Sequence, residues 1–441
     1  MNKIYEGLII EARCIELSYD GLGVFRIDNY PILIKDFFPG EVATIKILSV
    51  YAKYALGTII KFLNISKERN NLLIKNTDAI PVINLNYKSQ LYYKNKYLSE
   101  LLKRNLAENS YTYRNIIPSD LILNYRNKAK YVLKTLNNRL IKTSFIKDST
   151  NTTEEVSNDL INDKSLNYGL EQILTTINNY FYSIDKIKNL NFFKEIILRI
   201  NKEQKMQALI KLHSDFDLPR NLINELRKLD FLIDLSVIKN NKIKQVILKN
   251  DFIMQISNQE FKLSIDSFFQ VNINIAAKIF AKIKEINIKN NYDIIFDLFC
   301  GTGVISSLIA NKNQMIIGID IVKNAIENAK INAKNNHLNN FKFYTNDVFK
   351  SNEILSKYQS NSVLSILDPP RNGLSEKLIN FLNDSKIENI IYISCNPRSL
   401  IRDLKIFQSL NYQVKFVQGF DMFPNTFHIE TLCLLTKIKN N

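Results

Sequence analysis

The chain has 441 residues, long enough for two or three domains that each bury a core of their own. Lys and Arg outnumber Asp and Glu by 59 to 43, a formal +16 that suits a polyanionic partner such as nucleic acid; codon bias in a chain rich in Lys, Asn and Ile accounts for the same excess without any basic function. Four cysteines, Cys14, Cys300, Cys395 and Cys433, lack C-x-x-C spacing, which excludes a disulfide framework and a closed zinc site and calls for no metal.

No apolar run reaches about 18 residues and the N-terminus does not read as a leader, so a soluble, cytoplasmic protein without a membrane partner is expected. Residues 1–62 read as five short strands, over 9–17, 24–27, 32–34, 42–48 and 55–60, with the turn Tyr19-Asp20-Gly21-Leu22-Gly23 between the first two. Five close strands suggest an oligonucleotide-binding-type barrel. Tyr51, Lys53 and Tyr54 either present an RNA-stacking face or pack on the barrel.

Apolar spacing predicts an amphipathic helix over 88–106 that docks on a neighbouring domain, within a central mixed α+β region spanning 63–262. A basic strand is expected over 125–131, including Arg126 and Lys128, and a polar loop over 147–158. From 263 to 441 apolar runs over 294–299, 315–320, 341–344, 363–367 and 390–394 alternate with helical segments. That texture implies an α/β, doubly wound, mainly parallel sheet, Rossmann-like, with its ligand crevice at the carboxyl ends of the strands.

The loops after those strands carry the chemistry. In Asp297-Leu298-Phe299-Cys300-Gly301-Thr302-Gly303 two glycines allow close backbone approach to a ligand, and Asp320 ends the next strand where it can accept from a ribose. Asn346-Asp347 either meets an adenine edge or caps a helix. Asp368-Pro369-Pro370-Arg371 places a stiffly held acid in the same crevice.

Cys395, in Ser394-Cys395-Asn396-Pro397, follows the fifth strand and is followed by Arg398 and Arg402, which are expected to lower its pKa. The other three thiols read as packing. Glu430, beside the apolar last strand, is expected to be desolvated and suited to taking a proton. A pyrimidine C5 is too weak a nucleophile to take a methyl group until a thiolate adds at C6, so Cys395 and Glu430 fit C5 methylation, with Phe268 and Phe269 lining the space of a flipped base.

On Ser267-Phe268-Phe269-Gln270-Val271-Asn272, Asp297 to Gly301, Asp368 to Arg371, Ser394 to Pro397 and Asp421 to Glu430, the chain resembles the uracil-C5 RNA methyltransferases that join an N-terminal TRAM barrel to a Rossmann-like catalytic domain. The resemblance covers nearly the whole chain. It implies S-adenosyl-L-methionine held at Gln270, Phe299, Gly301, Asp320, Asp347 and Asp368, Cys395 as nucleophile, Glu430 as proton acceptor, and Phe268 at the flipped uracil, with Arg126 and Lys128 on RNA.

Many relatives hold an iron–sulfur cluster on four cysteines, but the matching stretch over 76–87 has none, so no cluster is expected. Asn425 replaces the usual histidine and Asp320 a frequent glutamate. The expected substrate is 23S ribosomal RNA and the expected state a monomer. Rivals are transfer RNA as substrate, cytosine-C5 methylation, amino-group methylation, for which Arg371 stands where an aromatic belongs, and an RNA-binding assembly protein without activity.

Overall fold

A computed structural model describes residues 4–70, 79–107, 111–145, 153–155, 159–311, 313–358, 360, 362–385 and 387–438. The N-terminal sheet has six strands rather than five: Ile9–Arg13, Glu16–Leu17, Gly23–Ile27, Tyr30–Ile34, Val42–Val50 and Ala55–Asn64. The expected run over 9–17 breaks because the chain changes neighbour there. The Cys14 amide donates to Glu41 and the next, Ile15, to Val24.

Alternation places Ala43, Ile45 and Ile47 inward, where they pack with Ala12, Ile32 and Ile34. Asp28 and Asn29, at φ 48° and 67°, make the two-residue turn whose twist suits a hairpin. Arg69 closes the base of this barrel through the buried Glu41 at 2.7 Å and Asp36 at 3.1 Å.

A second, seven-stranded sheet runs in the order Thr153–Glu155, Arg139–Phe145, Lys128–Leu136, Phe193–Ile200, Met206–Leu212, Leu232–Lys239, Lys242–Leu248. The helices Lys164–Ser183 and Arg220–Arg227 cover it through Leu170, Ile173, Ile177, Leu222 and Leu226. The basic strand starts later than expected, at Lys128. Of the predicted loop over 147–158, residues 147–152 and 156–158 lie outside the described residues, and the rest is the edge strand Thr153–Glu155.

The third sheet has eight strands in the order Phe341–Thr345, Met315–Asp320, Ile294–Leu298, Val363–Leu367, Asn389–Ser394, Glu430–Lys437, Tyr412–Phe420, Thr112–Ile117. The first five are parallel. Glu430–Lys437 runs antiparallel to Asn389–Ser394, so its first residue lies at the end where its neighbours finish. Thr112–Ile117, from the region expected to be central, pairs in parallel with Tyr412–Phe420 at the far edge.

The helix Tyr87–Asn105 begins at Asn86, whose side chain accepts from the Ser89 amide, and Leu98 and Leu102 join the core that contains Leu400 and Leu404 of the helix Pro397–Ser409. Among the described residues no helix is long and apolar enough to cross a membrane.

Candidate active site

The register of the third sheet aligns the ends of its strands. Leu298 lies opposite both Ile319 and Leu367, Leu367 opposite Tyr392, and Ser394 opposite Thr431. Phe299, Asp320, Asp368, Cys395 and Glu430 therefore all stand along one edge, although they come from five strands.

Phe299 leaves its strand in the left-handed region, φ 68°, and its amide and that of Cys300 both donate to the Ile319 carbonyl. A bulky residue in that conformation is strained, a cost the two hydrogen bonds offset and one that clusters at functional sites. The strain turns the loop so that the Gly301 amide donates to Asp320 Oδ2 at 2.9 Å, while the Val322 amide donates to Oδ1. A Cβ on Gly301 would point into open space, and one on Gly318 would collide with the Phe343 ring at 2.3 Å.

The cleft beyond this loop is lined by Phe268, Phe269, Gln270, Phe299, Gly301 and Asp368. Asp347, on the same edge, caps the turn Val348–Lys350 with Oδ1 on the Phe349 amide at 3.0 Å. Its capping oxygen is thereby committed to the fold.

Asp368, Asp297 and Glu430 form a run of acids with little cationic compensation. Burial, and then Asp297, raise Asp368 to about 7. Burial also raises Asp297 to about 6, and its Oδ1 has no hydrogen-bond partner among the described residues. Glu430 is raised well above the carboxylate range by burial and then by Asp368. Protonation or a bound cation relieves such a cluster, so its charge fits a positively charged ligand.

Burial, Glu430 and Asp368 hold the Cys395 thiol up at about 12, and Arg371 is the cation that opposes them. The expectation for Arg398 and Arg402 is corrected. The Arg398 guanidinium lies over the Tyr19 ring at 4.7 Å, and Arg402 binds Asp403 and the carbonyls of Asn372 and Leu374. Arg398 lies in the first turn of Pro397–Ser409 and Arg402 one turn later, and these partners, not the thiol, engage both guanidinium groups.

Glu430 is delivered by a loop that the helix Tyr87–Asn105 holds. Gln90 exchanges two hydrogen bonds with Asn425, and Lys94 Nζ lies 2.5 Å from Asp421 Oδ1 and 3.1 Å from the Phe423 carbonyl, with both charged side chains fully buried. Composition alone misses these residues. Their signal is positional, since Gln90 and Lys94 occupy the same buried stripe as Leu98 and Leu102.

The opposite wall, Ser267 to Asn272, rests on the second sheet. Asn127 donates its side chain to the Gln270 carbonyl at 3.0 Å and its amide to Val271, and the buried Arg199 donates to the Ser267 carbonyl. Arg126 and Lys128 flank Asn127; Arg126 donates to the Lys128 carbonyl, and Lys128 pairs with Arg199 in the sheet. Burial, then Arg199 and Arg126, lower Lys128 to about 8.

Phe268 is 62% exposed at the cleft mouth, while Phe269 lines the cleft from within the core, packed with Phe261 and Phe280. Cys14, Cys300 and Cys433 are buried in the barrel, the glycine loop and the last strand. These separate positions do not converge, and among the described residues no group of His, Cys, Asp or Glu is arranged to hold a metal.

Comparison with known proteins gives the family and the fold. The family model for tRNA (uracil-5-)-methyltransferase matches residues 86–438. An "uncharacterized RNA methyltransferase" of Enterococcus faecalis is 27% identical, covering 97% of each chain, and another from Caldanaerobacter subterraneus is 29% identical, covering 99% of this chain and all of its own. The crystal structure of the Pyrococcus abyssi tRNA (uracil-54, C5)-methyltransferase with S-adenosyl-L-homocysteine superposes with a TM-score of 0.74 at 22% identity, over 97% of this chain and 100% of that one. On the extent of the family match, the chain belongs to the tRNA (uracil-5-)-methyltransferase family.

Proposed function

We propose that this enzyme methylates C5 of a uridine in 23S ribosomal RNA, with Cys395 as nucleophile, Glu430 as base and S-adenosyl-L-methionine as donor. One observation carries the reading: the strand register sets a thiol and two carboxyls, Cys395, Asp368 and Glu430, side by side at one edge of the sheet, where the carboxyls hold the thiol up. Bound in the cleft, S-adenosyl-L-methionine supplies an electrophilic methyl on a sulfonium centre.

In this reading Gln270, Phe299, Gly301, Asp320 and Asp347 hold the nucleoside part, and ionised Asp368 is the charge complement of the sulfonium. Engaging Asp368 with a cation removes one of the charges that suppress the Cys395 thiolate, so the nucleophile is armed once the donor is in place. The thiolate adds to uracil C6, and the electron pair released toward C5 and O4 takes the methyl group at C5. Glu430 then removes the C5 proton as the C6–S bond breaks, which restores the ring and the thiolate.

Phe268 gives the flipped base a stacking face, while Arg126 and Lys128 meet the backbone. Tyr51 and Tyr54, stacked at 4.9 Å on the barrel, extend the RNA surface, which favours a large structured RNA. The four dispersed thiols favour the reducing cytoplasm, and a monomer is the proposed state. A second reading, transfer RNA as substrate, is favoured by the name of the matching family.

Methyl transfer from labelled donor to unmodified ribosomal and transfer RNA, followed by nucleoside analysis, tests both. Label in 5-methyluridine of ribosomal RNA, lost in Cys395→Ala, is expected. Label in transfer RNA moves the substrate; label in 5-methylcytidine, none at all, or full activity of the variant overturns the chemistry.

A further inference from the structure

The barrel does more than border the cleft. Its turn from Ser18 to Leu22 is closed by hydrogen bonds of Leu22 and Gly21 to Ser18, and Gly21, at φ +78°, lies so close that a Cβ there would be 3.0 Å from Val82 and 3.4 Å from Phe427. Leu17 and Phe38 of the barrel share a buried cluster with Val82, Leu85 and Phe427, the last from the loop that delivers Glu430. Apolar burial thus fixes this turn against the catalytic edge.

Tyr19 projects from that turn. Its ring lies 5.8 Å from both Tyr97 and His428, with the Arg398 guanidinium 4.7 Å over it. Its phenol donates to Oδ1 of Asn396, the residue after Cys395, at 3.4 Å. Asn396 in turn donates to the Arg371 carbonyl at 3.0 Å.

We propose that Tyr19 is a positioning residue of the catalytic centre, supplied by the N-terminal barrel: through Asn396, which it holds at one end and which grips the Arg371 carbonyl at the other, its phenol fixes the turn that carries Arg371 beside Cys395. The groups facing Cys395 are Asp368 from the turn after Val363–Leu367, Glu430 from the last strand, Arg371, and Tyr19 itself. Arg371 is exposed and long, so once the Tyr19–Asn396 link no longer fixes its turn it relaxes into solvent and the two carboxyls act on the thiol unopposed. The barrel then governs the chemical step as well as RNA binding.

The proposal rests on Cys395 being the nucleophile. Its test is Tyr19→Phe in the full chain, which keeps the ring contacts and removes only the oxygen. Iodoacetamide alkylation of Cys395, read by peptide mass, suits the purpose because the other three thiols are buried. The expected result is an alkylation profile moved to higher pH, and a single-turnover methylation rate about threefold to tenfold lower at neutral pH, as tenfold per unit of thiol pKa implies. RNA KM stays unchanged, and in an Arg371→Gln background the substitution adds nothing.

An unmoved profile with an unchanged rate overturns the proposal. So does a raised KM with the profile unmoved, which makes Tyr19 an RNA contact, or an equal loss in the Arg371→Gln background. Full activity of Cys395→Ala sinks the nucleophile reading by itself, while the alkylation profile still reports whether Tyr19 positions Arg371.

Discussion

Replacing Lys94 by Met keeps the aliphatic stem in the helix stripe and removes only the ammonium. Both Lys94 and Asp421 are fully buried, with Nζ 2.5 Å from Oδ1, so the substitution leaves a carboxylate in an apolar site without its counter-charge. Breaking a buried pair on one side costs about 3–5 kcal/mol, a large share of the roughly 5–15 kcal/mol that holds a domain folded. Urea unfolding followed by circular dichroism reads the loss, since the chain has no Trp. Replacing both partners, Lys94→Met with Asp421→Asn, recovers at least half of it, because no charge is then left buried. Asp421 opens the loop that carries Glu430, so the methylation rate of folded Lys94→Met also falls. A single variant within about 0.5 kcal/mol of the wild type, the range of a surface substitution, would refute the reasoning.

Donor binding strengthens as pH rises, because a cation prefers Asp368 ionised and burial has raised that group to about 7. Affinity by calorimetry is about tenfold weaker at pH 6 than at pH 8, and Asp368→Asn flattens the slope; an equally steep slope in the variant rejects the assignment. The same raised value favours the fold when Asp368 is protonated, fully below about pH 4 and progressively less through about pH 7, so Asp368→Asn gains stability relative to wild type at pH 8 and not at pH 4. Glu430→Gln lets Cys395 add to C6 but blocks proton removal, so a protein–RNA adduct survives a denaturing gel; a Cys395→Ala/Glu430→Gln protein that still forms it shows another nucleophile at work. Lys128→Ala weakens RNA binding and reduces the salt slope by about one without changing donor affinity; an unchanged slope removes Lys128 from the backbone contacts.

The chain itself was enough to locate the parallel strands of the third sheet. Each is a short apolar run whose burial shows in composition, and the observed Met315–Asp320 and Val363–Leu367 coincide with the expected spans. It also marked the loops after those strands, because glycines, the Asp-Pro-Pro turn and the thiol stand at fixed offsets from the runs. Other local signals went unread, notably the Asn137-Asn138 and Asn240-Asn241 pairs, all at positive φ, which turn two hairpins of the second sheet.

What pairs with what was decided only in three dimensions. Thr112–Ile117 has an ordinary strand pattern, yet its partner is Tyr412–Phe420, roughly three hundred residues later, and period-two alternation says which face is buried but not by whom. The cation that serves Cys395 is likewise not the nearest in sequence. Arg398 is three residues away but its guanidinium lies over Tyr19, whereas the cation that opposes the carboxyls at the thiol is Arg371, from a different strand end. Lys94 and Asp421 find each other across the molecule for the same reason: a charge can be buried only where the fold brings an opposite one, and that juxtaposition belongs to the packed structure.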